Sequence, residues 1–263
     1  MADRLTVTNK SLGQHWLTDL AVLSRIAAAA NLSKDDTVLE IGPGLGTLTS
    51  VLSKRAGNIV AVEFDRQLAL ELEAKHIECV RVVNDDFLQF DLSQLPTGYK
   101  VVANIPYYIT AKIVQKLVTA KNKPSIIVLL VQKEVAERLA AGVGDMSILA
   151  VSAQLYAEVS LGDVVPASLF TPPPKVDSQV VILKTLERPR FTDWDEKTFF
   201  LMVKAGFSAR RKKLRSSIAG GLGISKPAAE ELLSRAGIDP NLRAQDLSLL
   251  DWQNLAKNGT ISE

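Results

Sequence analysis

Apolar and polar positions along the chain fall into two regimes. Up to about residue 186, short runs rich in β-branched residues alternate with stretches of helical period. Thr37-Val38-Leu39-Glu40-Ile41 precedes a helix predicted from about Thr47, and Ile59-Val60-Ala61-Val62-Glu63-Phe64 precedes one from Asp65. The alternation continues through Val80–Val83, Lys100–Ala103, Ile126–Val131, Ile148–Leu155 and Gln179–Leu186, with a helix predicted over Lys133–Ala141, which gives about seven candidate strands. Strands that alternate with helices imply parallel βαβ units in one sheet. After Leu186 the strand signals stop, and Glu187-Arg188-Pro189-Arg190 reads as a linker. Beyond it Phe200, Val203, Phe207, Leu214 and Ile218 recur near one helical face, and Lys226–Arg235 reads as a helix stopped by Gly237. The expectation is an α/β domain over residues 1–186 and a small helical domain over residues 187–263.

Composition narrows the class. The longest apolar run, Ile126–Val131, has the length of a strand and falls far short of the roughly 18 apolar residues that would span a bilayer. Met1-Ala2-Asp3-Arg4-Leu5-Thr6 lacks the layout of a secretory signal, so a cytoplasmic protein with no membrane partner is expected. One cysteine, Cys79, and two histidines give neither an intrachain disulfide nor zinc-type spacing, and no metal is expected. Net charge is +2, but its distribution is uneven: residues 186–263 carry 13 basic and 10 acidic side chains, the rest of the chain 18 and 19. Lys204, Arg210, Arg211, Lys212, Lys213 and Arg215 cluster with no acid among them. Such a cluster suits a phosphate backbone, and equally a solvated helix face.

Candidate chemistry gathers where predicted strands end. Glu40-Ile41-Gly42-Pro43-Gly44-Leu45-Gly46 lies between a strand and a helix, where glycines let the backbone approach a ligand beside the free N–H groups of a helix start. This points to a nucleotide-like cofactor. The spacing is one residue shorter than the dinucleotide fingerprint, which tilts away from NAD without excluding it. Glu63, ending the next strand, can accept hydrogen bonds from a ribose diol. Asp86, in Asn84-Asp85-Asp86-Phe87, can accept from an adenine amine, or simply cap a turn. Asn104-Ile105-Pro106-Tyr107 follows the strand Lys100–Ala103. An Asn oxygen and a proline-flanked carbonyl can accept both hydrogens of an aromatic amine and make its nitrogen more nucleophilic, while Tyr107 stacks on the base. His15 and Phe170 each suit a packed structural position as well as a ligand contact.

Several separated segments then agree in order. Gly13-Gln14-His15-Trp16-Leu17, Glu40–Gly46, Asn104–Tyr107 and Phe170-Thr171-Pro172-Pro173-Pro174-Lys175-Val176-Asp177-Ser178 together resemble the rRNA adenine N6-dimethyltransferases. Ala205–Lys212 and Arg243–Ser248 resemble the small-subunit (KsgA-type) branch more than the large-subunit branch that confers antibiotic resistance. The resemblance implies a Rossmann-like class I methyltransferase sheet with a small C-terminal helical domain. It implies S-adenosyl-L-methionine as methyl donor and dimethylation of two adjacent adenosines near the 3′ end of small-subunit rRNA, on an immature small ribosomal subunit, with a secondary role in subunit assembly; a monomer is expected. Carried over by position, His15, Leu17, Gly42, Gly44, Glu63, Asp86 and Asn104 contact the cofactor. Asn104, Pro106 and Tyr107 form the catalytic loop, and Phe170 stacks on the extruded base opposite Tyr107. Arg210, Arg211, Lys212, Lys213 and Arg215 grip RNA phosphates. Tyr108 departs from the pattern, standing where Asn often follows the tetrapeptide. A non-catalytic RNA-binding factor on the same scaffold would lose that tetrapeptide, which is intact, and an NAD-dependent oxidoreductase would need the longer glycine spacing.

Overall fold

The computed structural model describes residues 15–193 and 195–259, so Gly13 and Gln14 of the first motif lie outside the described residues. The chain divides into two compact units, Met1–Glu137 with Ala157–Leu186, and Arg138–Tyr156 with Glu187–Glu263. The expected boundary near residue 186 is where the second unit resumes, but the segment 138–156, expected in the first, belongs to the second.

In chain order the first unit runs β1 (Trp16–Leu17), α1 (Leu20–Ala29), β2 (Thr37–Ile41), α2 (Thr47–Leu52), β3 (Asn58–Glu63), α3 (Arg66–Glu73), β4 (Val80–Asn84), β5 (Lys100–Asn104), α4 (Thr110–Thr119) and β6 (Ile126–Gln132). Two helices follow, α5 (Lys133–Leu139), which crosses the boundary, and α6 (Ile148–Gln154) of the second unit, before the first unit resumes with β7 (Ala157–Val165), β8 (Phe170–Thr171) and β9 (Ser178–Thr185). Seven strands form one sheet in the order β4-β3-β2-β5-β6-β9-β7, parallel from β4 to β6 and antiparallel at β9 and β7. The inner strands read as unbroken apolar runs because both faces are covered: Ile127–Val131 of β6 are all fully buried. The helices begin where side chains satisfy their free N–H groups. Asp19 accepts from Ala21 and Val22 at the start of α1, and Asp65 from Gln67 and Leu68 at the start of α3. The chain leaves β2 toward β3 and β4 on one side and returns to β5 and β6 on the other. That reversal opens a crevice at the carboxyl ends of β2 and β5.

Two sequence expectations are corrected here. Ile148–Leu155, read as a strand, is the helix α6, started by Ser147, whose hydroxyl accepts from the Ala150 N–H. A short apolar run has no period of its own to separate a buried strand from a buried helix turn. The missing strand is β7, whose register slips between Leu161 and Val164, so its alternation breaks at Gly162-Asp163.

The second unit adds α7 (Glu196–Phe207), α8 (Leu214–Leu222), α9 (Lys226–Arg235) and α10 (Leu249–Lys257). The apolar positions Phe200 to Ile218 do not lie on one continuous helix: α7 ends at Phe207 and a turn over Ser208–Lys213 precedes α8. Phe199, fully buried, faces the core where Phe200 is only half-buried. The helix over Lys226–Arg235 is as predicted, with Gly237 just past its end at φ +73°. Helices approach closely where glycines allow it, the ring of Trp252 occupying the space a Cβ on Gly206 would need.

Candidate active site

A cavity of about 300 Å³ opens at the crevice, and its wall comes entirely from residues 15–109. The turn after β2 forms one side. Gly42 sits at φ +64°, donates its N–H to the Val62 carbonyl at 2.9 Å, and has open space where a Cβ would stand. The backbone there needs glycine, and the vacant volume lets a ligand come against it. Gly44, at φ +54°, donates to Glu63 Oε2 at 3.0 Å, while the Trp16 ring fills the place of its Cβ. Gly46, at φ +71°, leads into α2.

Glu63, 6% exposed, also accepts from the Asp65 N–H at 2.8 Å through Oε1. Burial pushes its carboxyl above the usual range, and the N–H groups of Asp65 and Gly44 pull part of the way back. Two accepted bonds leave acceptor capacity on the carboxylate for a ligand hydroxyl. Asp86 follows β4 and spends Oδ1 on the Leu88 N–H at 2.8 Å, as a turn residue does. Its loop is fastened by Lys116, whose ammonium donates to the carbonyls of Leu88 at 2.9 Å and Phe90 at 2.7 Å and lies 5.2 Å from the centroid of Phe87. Asn104, half-buried at the end of β5, makes no side-chain hydrogen bond among the described residues.

The N-terminal segment completes the wall. β1 pairs antiparallel with β8, placing Leu17 opposite Phe170, and the Leu17 carbonyl accepts from Thr47 Oγ1 at 2.9 Å. His15 Nδ1 lies 2.7 Å from the Pro172 carbonyl, which can only accept, so that nitrogen carries the hydrogen. The His15 and Tyr107 rings are stacked, centroids 6.2 Å apart at 21°, and the Tyr107 hydroxyl meets Ser178 Oγ at 2.8 Å.

His15, Leu17, Gly42, Gly44, Glu63, Asp86, Asn104, Pro106 and Tyr107 therefore share one cavity. Phe170 does not join them. It is 3% exposed, belongs to the same apolar core as Leu17, Val128 and Val180, and is absent from the cavity wall. The β1–β8 ladder sets it opposite Leu17. The exposed aromatics on the wall are Phe64 and Tyr108.

In the second unit four residues of the basic cluster occupy the turn between α7 and α8, with Lys204 on α7 and Arg215 on α8. Arg210, Arg211, Lys212 and Lys213 are exposed there. Lys213 donates to Asn241 Oδ1 at 2.9 Å, and Arg215 pairs with Glu230 at 2.7 Å, which takes up part of its charge. Lys204 is exposed on α7.

A profile described as ribosomal RNA adenine dimethylase matches residues 6–259. The chain belongs to that family. A ribosomal RNA small subunit methyltransferase A of Dehalococcoides mccartyi (strain CBDB1) is 45% identical over 251 residues, covering 94% of this chain and 86% of the relative. Among solved structures, a dimethyladenosine transferase from Plasmodium falciparum superposes with a TM-score of 0.79 at 26% identity, covering 93% of this chain and 98% of that one. The 23S rRNA methyltransferase ErmE superposes with a TM-score of 0.72 at 29% identity, covering 92% and 98%. The fold is that of the class I methyltransferases, a mostly parallel seven-stranded sheet followed by helices, and no helix among the described residues is long and apolar enough to cross a membrane.

Within the adenine dimethylase frame, one residue that sequence reasoning quoted without a role stands out. Glu40, on β2, is 1% exposed, lines the cavity, and its Oε2 has no hydrogen-bond partner. Burial pushes its carboxyl up to about 8, against some relief from Thr49 and with a further push from the nearby Glu63 charge. An acid inside an otherwise apolar strand, directly before the glycine turn, was the sequence signal for it.

Proposed function

We propose that the protein transfers methyl groups from S-adenosyl-L-methionine to the N6 amines of two adjacent adenosines near the 3′ end of small-subunit rRNA, giving N6,N6-dimethyladenosine. The observation that carries this reading is the continuity of one cavity from the glycine turn at Gly42 to the loop Asn104–Tyr107. One side offers space and acceptors for a cofactor, the other an amide oxygen and an aromatic ring for a base.

The residues fit that cofactor. The orphaned Glu40 Oε2 and the open volume at Gly42 suit a cationic amino-acid portion, Glu63 a ribose diol, and Asp86 an adenine amine. His15, Leu17, Gly44 and Asn104 bound the same space. When bound, S-adenosyl-L-methionine supplies an electrophilic methyl group on a sulfonium. The chain supplies alignment. Asn104 Oδ1 and the carbonyl beside Pro106 accept the two amino hydrogens of the target adenine, so the nitrogen lone pair is drawn out of the ring and toward the methyl. Tyr107 supports the extruded ring from one face. The methylated nitrogen is cationic and acidic and gives its proton to water, so the loop needs to orient the amine and does not need a strong base.

The choice of small-subunit rRNA rests on the relatives named for it, 45% identical against 29% for the 23S enzyme. Residues 187–263 carry the contact with RNA in this reading, through Arg210, Arg211, Lys212 and Lys213 on the exposed turn, with Arg215 contributing less because of Glu230. The enzyme acts as a monomer, in the cytoplasm, on an immature small subunit. The test is to incubate the purified chain and labelled S-adenosyl-L-methionine with unmethylated small subunits and, in parallel, with large subunits, then to digest the rRNA. Dimethyladenosine from small subunits alone is expected. Label in large-subunit rRNA alone would move the reading to the resistance branch, and tight RNA binding without transfer would move it to a non-catalytic factor.

A further inference from the structure

We propose that Ser178 is a positioning residue that fixes the plane of the Tyr107 ring against the target adenine. The inference rests on the reading of Tyr107 as the platform for that base.

Ser178 is the first residue of β9 and is wholly buried, yet its hydroxyl reaches out of the sheet to the Tyr107 hydroxyl at 2.8 Å. Its backbone is set by two neighbours at once, in register with Gln132 of β6 and with Val165 of β7. The hydroxyl is therefore a fixed point of the sheet. Tyr107 sits on the loop after β5 and, half-buried, depends on its contacts for orientation. Anchored only by its backbone, a tyrosine ring can swing about χ1 and tilt about χ2. Here both ends of the ring are constrained. The hydroxyl is tied to Ser178, and one flank stacks on His15, itself hooked to the Pro172 carbonyl. Pro172 and Ser178 bracket the proline-rich loop, so one segment of chain holds Tyr107 both directly and through His15. Burial raises the phenol above its usual range and keeps it protonated, so it remains able to donate to Ser178.

The need for such an anchor follows from the chemistry. Methyl transfer requires the amine nitrogen in line with the methyl, and a small rotation of the supporting ring moves a stacked base away from that line. Ser178 touches neither base nor cofactor in this scheme and acts only through Tyr107.

Three variants of the full chain test it: Ser178→Ala, Tyr107→Phe and the double substitution. Each is assayed for kcat on small subunits and for the dissociation constants of S-adenosyl-L-methionine and rRNA. The expected result is a kcat about five- to tenfold lower in Ser178→Ala, the size of one lost buried hydrogen bond, with both dissociation constants unchanged. Tyr107→Phe should show a similar loss, and adding Ser178→Ala to it should cost nothing more. An RNA carrying 2-aminopurine at the target position reports stacking without turnover, and its quenching on binding should weaken in Ser178→Ala. A Ser178→Ala enzyme with wild-type kcat and quenching would overturn the proposal. So would a penalty that persists in the Tyr107→Phe background, or one accompanied by weaker cofactor binding and a lowered Tm, since either would mean that Ser178 acts on the fold at large. If the wild-type chain quenches the probe and methylates nothing, the proposed reaction fails while the role of Ser178 is still decided by the quenching series. If it does not quench the probe at all, both fail.

Discussion

Asn104 carries the most exposed assignment at the scale of single residues. In the proposed reaction its amide at the end of β5 accepts from the target amine, and it has no side-chain hydrogen-bond partner among the described residues to lose. Asn104→Ala should therefore lower methyl transfer about 100-fold, the scale of removing one preorganised polar group from a transition state, while rRNA affinity in a filter-binding assay stays within about twofold. Equal losses in both would show that Asn104 supports the loop and not the reaction. Glu40 makes a prediction about pH. Its carboxyl is raised from 4.5 to about 8 in the fold, so between those values the folded chain holds a proton that the unfolded chain releases. The stability this group contributes is fully present below about pH 4.5 and is lost as pH rises through about 8. Glu40→Gln should remove that decline, so that urea midpoints of variant and parent diverge as pH increases, in favour of the variant. That Gly42, Glu63 and Asn104 line one cavity was legible in the sequence, because a glycine turn and polar residues at the ends of adjacent parallel strands meet at the same edge of the sheet. Phe170 was assigned to the base through the resemblance alone, because an aromatic beside a proline-rich loop also suits a core. Its burial comes from a pairing with Leu17 that local sequence does not encode.

Among elements, adjacent glycines give the sharpest contrast. Both Gly220 and Gly221 lie in α8, but a Cβ on Gly220 meets open space, whereas one on Gly221 would run into the backbone of Ala205 in α7. Gly220→Ala should stabilise by up to about 1 kcal/mol through helix propensity. Gly221→Ala should destabilise by about 1–3 kcal/mol, because two helix backbones must part. Thermal melts of the two variants should shift in opposite directions. The parallel strands were legible for a related reason: a strand buried on both faces is a continuous apolar run between turn residues, and β2 through β6 have that form apart from Glu40 within β2 and the half-exposed β4. The failures lie where pattern and environment separate. In α6 a serine cap decides between helix and strand, and in β7 a bulge removes the alternation by which an edge strand would have been recognised.

At the scale of the whole molecule, the proposed chemistry and the proposed RNA contact fall in different units. The cavity belongs to the first unit and the cluster Arg210–Lys213 to the second. Reversing Arg210 and Arg211 to Glu should weaken rRNA binding and flatten its dependence on salt by about 2 in the log–log slope, with the S-adenosyl-L-methionine dissociation constant unchanged. A changed cofactor affinity in that variant would overturn the division of labour. Charge along the sequence located this cluster but left its setting open, since six basic residues in twelve positions look the same on a helix and on a turn.

The order of strands has one further consequence, for a chain emerging residue by residue during translation. β9 is the last strand made, yet it lies between β6 and β7. Until it is synthesised, one edge of β6 stays open and β7 has no strand beside it. His15 likewise waits for Pro172, 157 positions later. The residue that opens β9 is Ser178, so the segment that closes the sheet also delivers the anchor for Tyr107. Anchoring of Tyr107 is thus timed to the completion of the sheet, and a nascent chain released short of β9 has neither the closed sheet nor that anchor.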